Sequence, residues 1–298
     1  MSRQGGNLSV YKHEYRAYTG RVTPLWSRVG VLARYGMAEA WSSRITVGLF
    51  TLSMLPLIVY LIAIYLANNP LARMLITRGN TPNLEIGAAF FLKLVVTQCW
   101  SALILTAWIA PRLVSFDLAD NALPILLSHP ISRFTYVLGK FIALSSLLSL
   151  VTWIPCLLLF AYQGYASPQP WMAANLRLAG GMLAGCLIWI VLLSFLGLAL
   201  SSWVKWRVVA TGIIFAAVFV PAGVGGVATA ILRTRWGLLL NLPVMMSELW
   251  QRLLGAPDFM RFHEDLPLTA IAAMLLFICC VCVAMLNARI RAREVVRG

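Results

Sequence analysis

The sequence predicts an all-α polytopic membrane protein with six transmembrane helices, a cytoplasmic amphipathic N-terminal helix and both termini in the cytoplasm. Two observations carry that expectation. First, the 298 residues are 60% apolar and only 11% charged, with a mean hydropathy of +0.82, whereas an ordinary soluble domain is about 25% charged. So few ionised groups cannot cover the surface of a chain this long against water, and a soluble enzyme is excluded. Second, six apolar stretches each reach the roughly 20 residues that a helix needs to cross a hydrocarbon layer of about 30 Å.

The stretches are 45–66, 86–110, 136–162, 173–200, 208–232 and 266–287. Each is too long for a barrel strand of about ten residues, and none alternates with a period of two. Hydrocarbon offers no water to the backbone, so every N–H and C=O must bond within its own segment and each stretch is a helix. Pro56, Pro155 and Pro221 fall inside the spans and are expected to kink them, and the Pro-Ala-Gly-Val-Gly-Gly run at 221–226 could unwind the fifth. The first apolar run exceeds the roughly 7–15 residues of a signal-peptide core and is read as a span, not a cleaved leader. The chain thus divides into an N-terminal arm, 1–44, a membrane domain, 45–287, with a loop at 111–135 between its second and third spans, and a basic tail, 288–298.

Charge sets the orientation. The formal net charge is +14, but the basic residues lie between apolar runs rather than in one stripe, which argues against nucleic acid as a partner. Sixteen Lys and Arg fall in the arm, the second-to-third loop, the fourth-to-fifth loop and the tail, against six in the alternate loops. Basic loops stay in the cytoplasm, which puts both termini there.

Outside the spans, Trp26, Val29, Ala33, Met37 and Ala40 recur at three and four residues, with Arg28, Glu39 and Ser42 opposite. That spacing predicts an amphipathic helix in the cytoplasmic headgroup layer, a level that suits Trp26 and Trp41. In the loop 233–265, Leu242, Met245, Leu249 and Leu253 have helical spacing, with Pro243 in the first turn and Gly255 past the end. This predicts a short helix that lies on the outer leaflet, dips into it, or covers the end of the bundle. Gly181 and Gly185 make a Gly-x-x-x-Gly for close helix packing, within or between subunits. The six cysteines sit in apolar runs and read as small packing residues.

Intramembrane catalysis would need paired acids, a Ser–His pair or a ligand set near the spans. His13, His129 and His263 all lie outside the spans, and the spans contain no Asp or Glu. This chain is therefore expected not to be an enzyme and to bind no metal. Lys93 and Arg177 are cations at membrane depth; each is a candidate for a substrate path or a side chain that snorkels to the surface.

The second-to-third loop is unusual. It carries Asp117, then the apolar run Leu123-Pro124-Ile125-Leu126-Leu127, then Ser128-His129-Pro130-Ile131-Ser132-Arg133, and it ends on Gly139-Lys140. Apolar residues so placed need a cover. The stretch resembles the coupling loop of ATP-binding-cassette exporter permeases of the ABC type 2 family. There an acidic residue precedes a leucine run, Ser or Thr before Pro, Ser-Arg and a Gly-Lys opening the third span; Asn121-Ala122 stands where the family carries Gly-Thr. The amphipathic arm, six spans, the Leu-Gly-Leu-Ala-Leu-Ser run ending at Ser201 and the long last external loop are similar too.

The resemblance implies a permease in the bacterial plasma (inner) membrane. A second permease subunit would pair with it, as a homodimer or a sibling heterodimer, and ABC ATPase subunits would dock on the loop. The leucines Leu123, Leu126 and Leu127 would fill a groove of the ATPase, and Ser132 and Arg133 would fix the docking. ATP and Mg would be bound by that partner and no cofactor by this chain, which has no G-x-x-x-x-G-K-[ST]. A secondary transporter or channel subunit working without an ATPase is the alternative.

Overall fold

The computed structural model describes residues 24–77, 85–119, 132–167, 170–256 and 266–294. The helices are α1 (Leu25–Trp41), α2 (Arg44–Asn68), α3 (Pro70–Thr77), α4 (Ala88–Ala119), α5 (Arg133–Val151), α6 (Trp153–Ala166), α7 (Trp171–Ala174), α8 (Leu176–Trp203), α9 (Arg207–Leu232), α10 (Leu242–Leu254) and α11 (Leu268–Glu294), with a 3-10 helix at Arg235–Leu240. No strand occurs among the described residues. Six helical segments are long and apolar enough to cross a membrane: α2, α4, the pair α5–α6, α8, α9 and α11. The protein is an all-α polytopic membrane protein. We call the side bearing α1 and the end of α11 the near face, and the other the far face.

The helices do not share the interior equally. α8 is the axis: 61% of its apolar window is buried, against 17% for α2 and α11 and 22% for α9. It packs most extensively along α4, and α5, α6, α9, α10 and α11 also lean on it. The mostly exposed α2, α9 and α11 present their remaining faces to lipid, where exposed Leu, Ile and Val carry no penalty.

The prolines show how these helices survive in hydrocarbon. Proline lacks an N–H and frees the carbonyl four residues earlier. Pro111 lies inside α4 and frees Ala107 O, which accepts a hydrogen bond from Thr211 Oγ1 of α9 at 2.9 Å. That bond lets α4 continue to Ala119, nine residues beyond the span end expected at 110, and shortens the predicted 111–135 loop from both sides. Pro155 frees Val151 O, and here the third span breaks, with Thr152 at φ −99°, ψ −95° between α5 and α6. With its amide assigned nitrogen toward two acceptors, the fully buried Gln98 of α4 donates to Val151 O at 3.0 Å and to Ser53 O of α2 at 3.3 Å. The expected kink at Pro155 is thus a break one turn earlier.

The run at 221–226 does not unwind the fifth span. α9 is continuous from Arg207 to Leu232, because an unwound stretch in an apolar layer would strand several peptide groups without partners. The glycines there serve close approach instead: a Cβ on Gly225 would meet Gly237 O of the 3-10 helix at a distance no side chain tolerates.

That contact begins a hairpin. From the far end of α9 the chain turns back beside it as the 3-10 helix, reverses at Asn241 and leaves as α10. Asn241 Oδ1 accepts from Val244 N at 3.2 Å, capping α10, and Gly255, at φ 63°, closes it in the left-handed region that favours glycine. α10 is buried nearly all round: Leu242, Met245, Met246, Leu249 and Trp250 join the core. A Cβ on Gly181 would stand 2.6 Å from Leu253 O, and one on Gly185 2.6 Å from Trp250 Cδ1. Trp250 meets Trp189 edge to face at 5.8 Å, thirteen residues into α8 and so about 20 Å along it. The Gly-x-x-x-Gly therefore packs within this chain, and the loop helix dips into the bundle.

Replacing Thr211 by Val or Gln98 by Leu should cost about 1 kcal/mol each, the upper range for interhelical hydrogen bonds in membranes, read as a lowered midpoint in SDS-induced unfolding. Gly181→Leu should cost more, about 1–3 kcal/mol, because backbone stands in the way.

Candidate functional site

The resemblance points to the near face between α4 and α5. Asp117 lies in the last turn of α4. Leu123, Leu126, Leu127, Ser128, His129, Pro130 and Ile131 lie outside the described residues. Ser132 and Arg133 are described, and both stand at the start of α5. Ser132 is the N-cap: its Oγ accepts from Thr135 N at 3.2 Å and contacts Thr135 Oγ1 at 2.8 Å. Its hydroxyl is thus engaged in fixing where the third span begins. Arg133 is the first residue of α5 and is half-buried.

What the loop enters is a rigid pair. α1 packs on the first turns of α5 through Val29, Ala33, Gly36 and Ala40, all buried. The approach is close because both helices carry glycine at the crossing. A Cβ on Gly139 would stand 2.7 Å from Leu32 Cβ, and one on Gly36 3.0 Å from Ala143 Cβ. Gly139 of the Gly-Lys pair is therefore a packing residue, and Lys140 beside it is only 7% exposed, with Nζ 5.7 Å from the Tyr136 ring centre.

The predicted α1 face is right at Val29, Ala33 and Ala40, and Met37 is half-buried, but Trp26 is 73% exposed. The buried positions follow a 4-3-4 spacing from Val29 to Ala40, and Trp26, one turn before it, is exposed among the described residues. On the side of α1 turned away from its buried stripe, Val31 and Tyr35 are exposed beside the exposed Arg34, the composition expected of a helix resting at a headgroup layer.

The two membrane-depth cations sit apart, on different helices. Lys93 is exposed near the start of α4, and its backbone oxygen accepts from Thr97 Oγ1 at 2.8 Å. Arg177, in the first turn of α8, is exposed and reaches the far end of α10: its Cζ is 4.0 Å from the Cβ position of Gly255, the C-cap. A cation there complements the negative end of the helix dipole. Arg252 works at the same end, pairing with Glu248 at 3.6 Å and donating to Leu266 O at 2.5 Å. Arg252 thus ties down the far end of the hairpin, and Arg177 sits beside it.

Sequence reasoning missed a cavity of about 270 Å³ at the deep end of that hairpin, walled by Cys99, Trp100, Trp189, Phe219, Val244 and Trp250 among others. Trp189 Nε1 donates to Cys99 O at 2.9 Å, and Trp100 stacks on Phe219 at 5.9 Å. Its walls suit an apolar group rather than an ion. The available signal was the coincidence of the Gly-x-x-x-Gly with an aromatic-rich loop helix.

No protein-family model matches this chain, and no curated protein matches it in sequence.

Ser132→Ala should cost about 1 kcal/mol, as for a lost N-cap, and should speed amide hydrogen exchange selectively in the first turn of α5. Gly139→Leu should detach α1, seen as protease sensitivity between residues 25 and 43 while the spans stay protected.

Proposed function

We propose that this chain is the transmembrane permease subunit of an ATP-binding-cassette exporter, working beside a second permease subunit and driven by separate ATPase subunits. Its near face would be the cytoplasmic face of a bacterial plasma membrane. The observation that carries this reading is the leucine-rich segment 120–131, strung between the end of a span and the Ser132 cap of the next. Apolar residues at that place are best explained by a partner that covers them.

The clamp of α1 on α5 supports the same reading. A docking element transmits displacement only if it is anchored on something stiff. α5 is braced over its first three turns by Val29, Leu32 and Gly36 of α1, which meet Gly139 and Ala143. The ATPase would supply ATP hydrolysis with its bound Mg. Gly139-Lys140 is no phosphate cradle, since Leu32 covers the glycine and the lysine is buried.

One observation favours the alternative of a carrier without an ATPase. Glu248 is a carboxylate only 7% exposed in a helix that dips into the bundle, and buried acids serve coupling ions in such carriers. Its pairing with Arg252 at 3.6 Å makes it more a tie than an ion site.

Leu126→Asp and Arg133→Glu should each abolish ATPase co-purification and transport while circular dichroism and the unfolding midpoint stay within experimental error of wild type. Full ATP-driven transport by both variants would refute the docking assignment. Transport by the wild-type chain alone, under an ion gradient and without nucleotide, would instead establish the carrier.

A further inference from the structure

The cavity at the deep end of the hairpin has walls that hold their distance from one another. It lies among α4, α8, α9 and α10 and encloses about 270 Å³. Trp100, Trp189 and Phe219 each stand near the middle of their spans, whereas membrane tryptophans ordinarily gather at the two interfaces. Trp189 is held by its bond to Cys99 O and braced edge to face against Trp250, with the ring planes 78° apart. Trp100 and Phe219 stack nearly parallel, 9° apart. Rings fixed in this way keep their spacing, where a flexible side chain such as Met would repack into the gap.

Water does not suit this space, because a buried water needs about two to four polar partners. The polar side chains of the wall are turned to the chain itself. Asn241 Oδ1 accepts from Val244 N, Ser247 Oγ donates to Val244 O at 2.8 Å, and Trp250 sets its Nε1 3.0 Å from the Cβ position of Gly185 on α8. Hydrocarbon suits the space and lies beside it. The exposed members of the wall are Trp100, at 38%, and Phe219, at 48%, so the cavity opens at mid-depth on a flank turned to lipid. The matter at that depth of a bilayer is the ends of acyl chains. By the measure of an apolar cavity of about 150 Å³ that takes up benzene, there is room for roughly ten chain carbons.

We propose that this cavity binds the end of an acyl chain of a bilayer lipid, which enters beside the Trp100–Phe219 stack and seats against Trp189 and Trp250. The site does not depend on whether an ATPase docks on the near face.

The test reconstitutes the full-length chain in dioleoylphosphatidylcholine vesicles doped with a photoreactive phosphatidylcholine, its diazirine either near the chain end or next to the acyl carbonyl, and maps the adducts by mass spectrometry. A third arm adds free decanol bearing the same diazirine. Trp189 and Trp250 are 3% and 4% exposed, too little for lipid to reach them from outside the cavity. The chain-end probe should label them and the carbonyl-end probe should not. Val96→Phe and Ala222→Phe, which fill the cavity from α4 and α9, should each cut that labelling about tenfold or more, the affinity of roughly two buried methylenes. Val224→Phe, at an exposed position of α9, should leave it unchanged. Either filling variant decides the matter if circular dichroism shows that the other does not fold. The proposal is overturned if the chain-end probe labels only exposed residues, if the carbonyl-end probe labels Trp189 and Trp250 equally, if the folded filling variants are labelled as wild type is, or if Val224→Phe cuts labelling as much as they do. Labelling by decanol but by neither lipid would also overturn it, since the cavity would then take only a detached apolar molecule.

Discussion

In hydrocarbon, a backbone carbonyl that loses its helical partner has no water to turn to, and leaving it bare costs several kcal/mol. Much of this bundle follows from that constraint. Two of the four prolines inside or at the start of its spans free carbonyls that side chains from other helices then take up: Thr211 serves Ala107 O, and Gln98 serves Val151 O. Each bond is worth little by itself, about 0.6 kcal/mol on average in membranes. Their effect is to fix register. Thr211 reaches Ala107 at only one sliding position of α9 on α4, and Gln98 joins α2, α4 and the α5–α6 break at a single level.

Apolar burial cannot fix register in the same way, because lipid tails are as apolar as leucine side chains and two helices gain little water-driven energy by meeting. Close approach does the remaining work, which is why glycines mark the tightest crossings. Gly139 and Gly36 bring α1 onto α5, Gly181 and Gly185 bring α10 onto α8, and Gly225 and Gly237 fold the hairpin against α9. By contrast, Gly212, Gly223 and Gly226 have open space where a Cβ would stand. On α9, then, Gly225 is a packing glycine, while Gly212, Gly223 and Gly226 leave room for a side chain.

The number of spans, and the limits of most of them, were legible in the sequence because hydropathy and length are local properties; α4, which outruns its expected end at 110, is an exception. The predicted segment 173–200 and the observed α8 at Leu176–Trp203 differ by three residues at either end. What the sequence hid is what depends on neighbours. Pro111 reads as a terminator until Thr211 of another helix is known to bond the freed carbonyl. Pro-Ala-Gly-Val-Gly-Gly reads as a breaker, yet its glycines are places where a second segment comes close. α10 contains Glu248, Gln251 and Arg252, polar enough to suggest a surface helix, and is buried all the same because Arg252 and Glu248 pair and Arg252 also reaches Leu266 O. At the near face, the motif singles out Ser132, but its capping role needed the backbone of α5.

The near-face assembly also constrains how a push on the 120–133 segment would travel. Force entering at Arg133 meets α5 where α1 is locked to it, so the first three turns of α5 and all of α1 must move as one body. That body ends at Thr152, where the helical ladder is interrupted and the N–H missing at Pro155 leaves Val151 O to Gln98. Beyond the break, α6 is tied instead to α2, with Asn68 donating to Gln163 at 2.8 Å. A displacement along α5 would first meet an irregular backbone at Thr152, which the bonds from Thr152 N to Leu148 O at 3.0 Å and from Cys156 N to Thr152 O at 3.3 Å still hold to both helices. Because Gln98 belongs to α4, the same displacement is felt by the helix that walls the cavity with Cys99 and Trp100. The break in the third span thus lies beside Gln98, next to the residues of α4 that wall the cavity, Cys99 and Trp100.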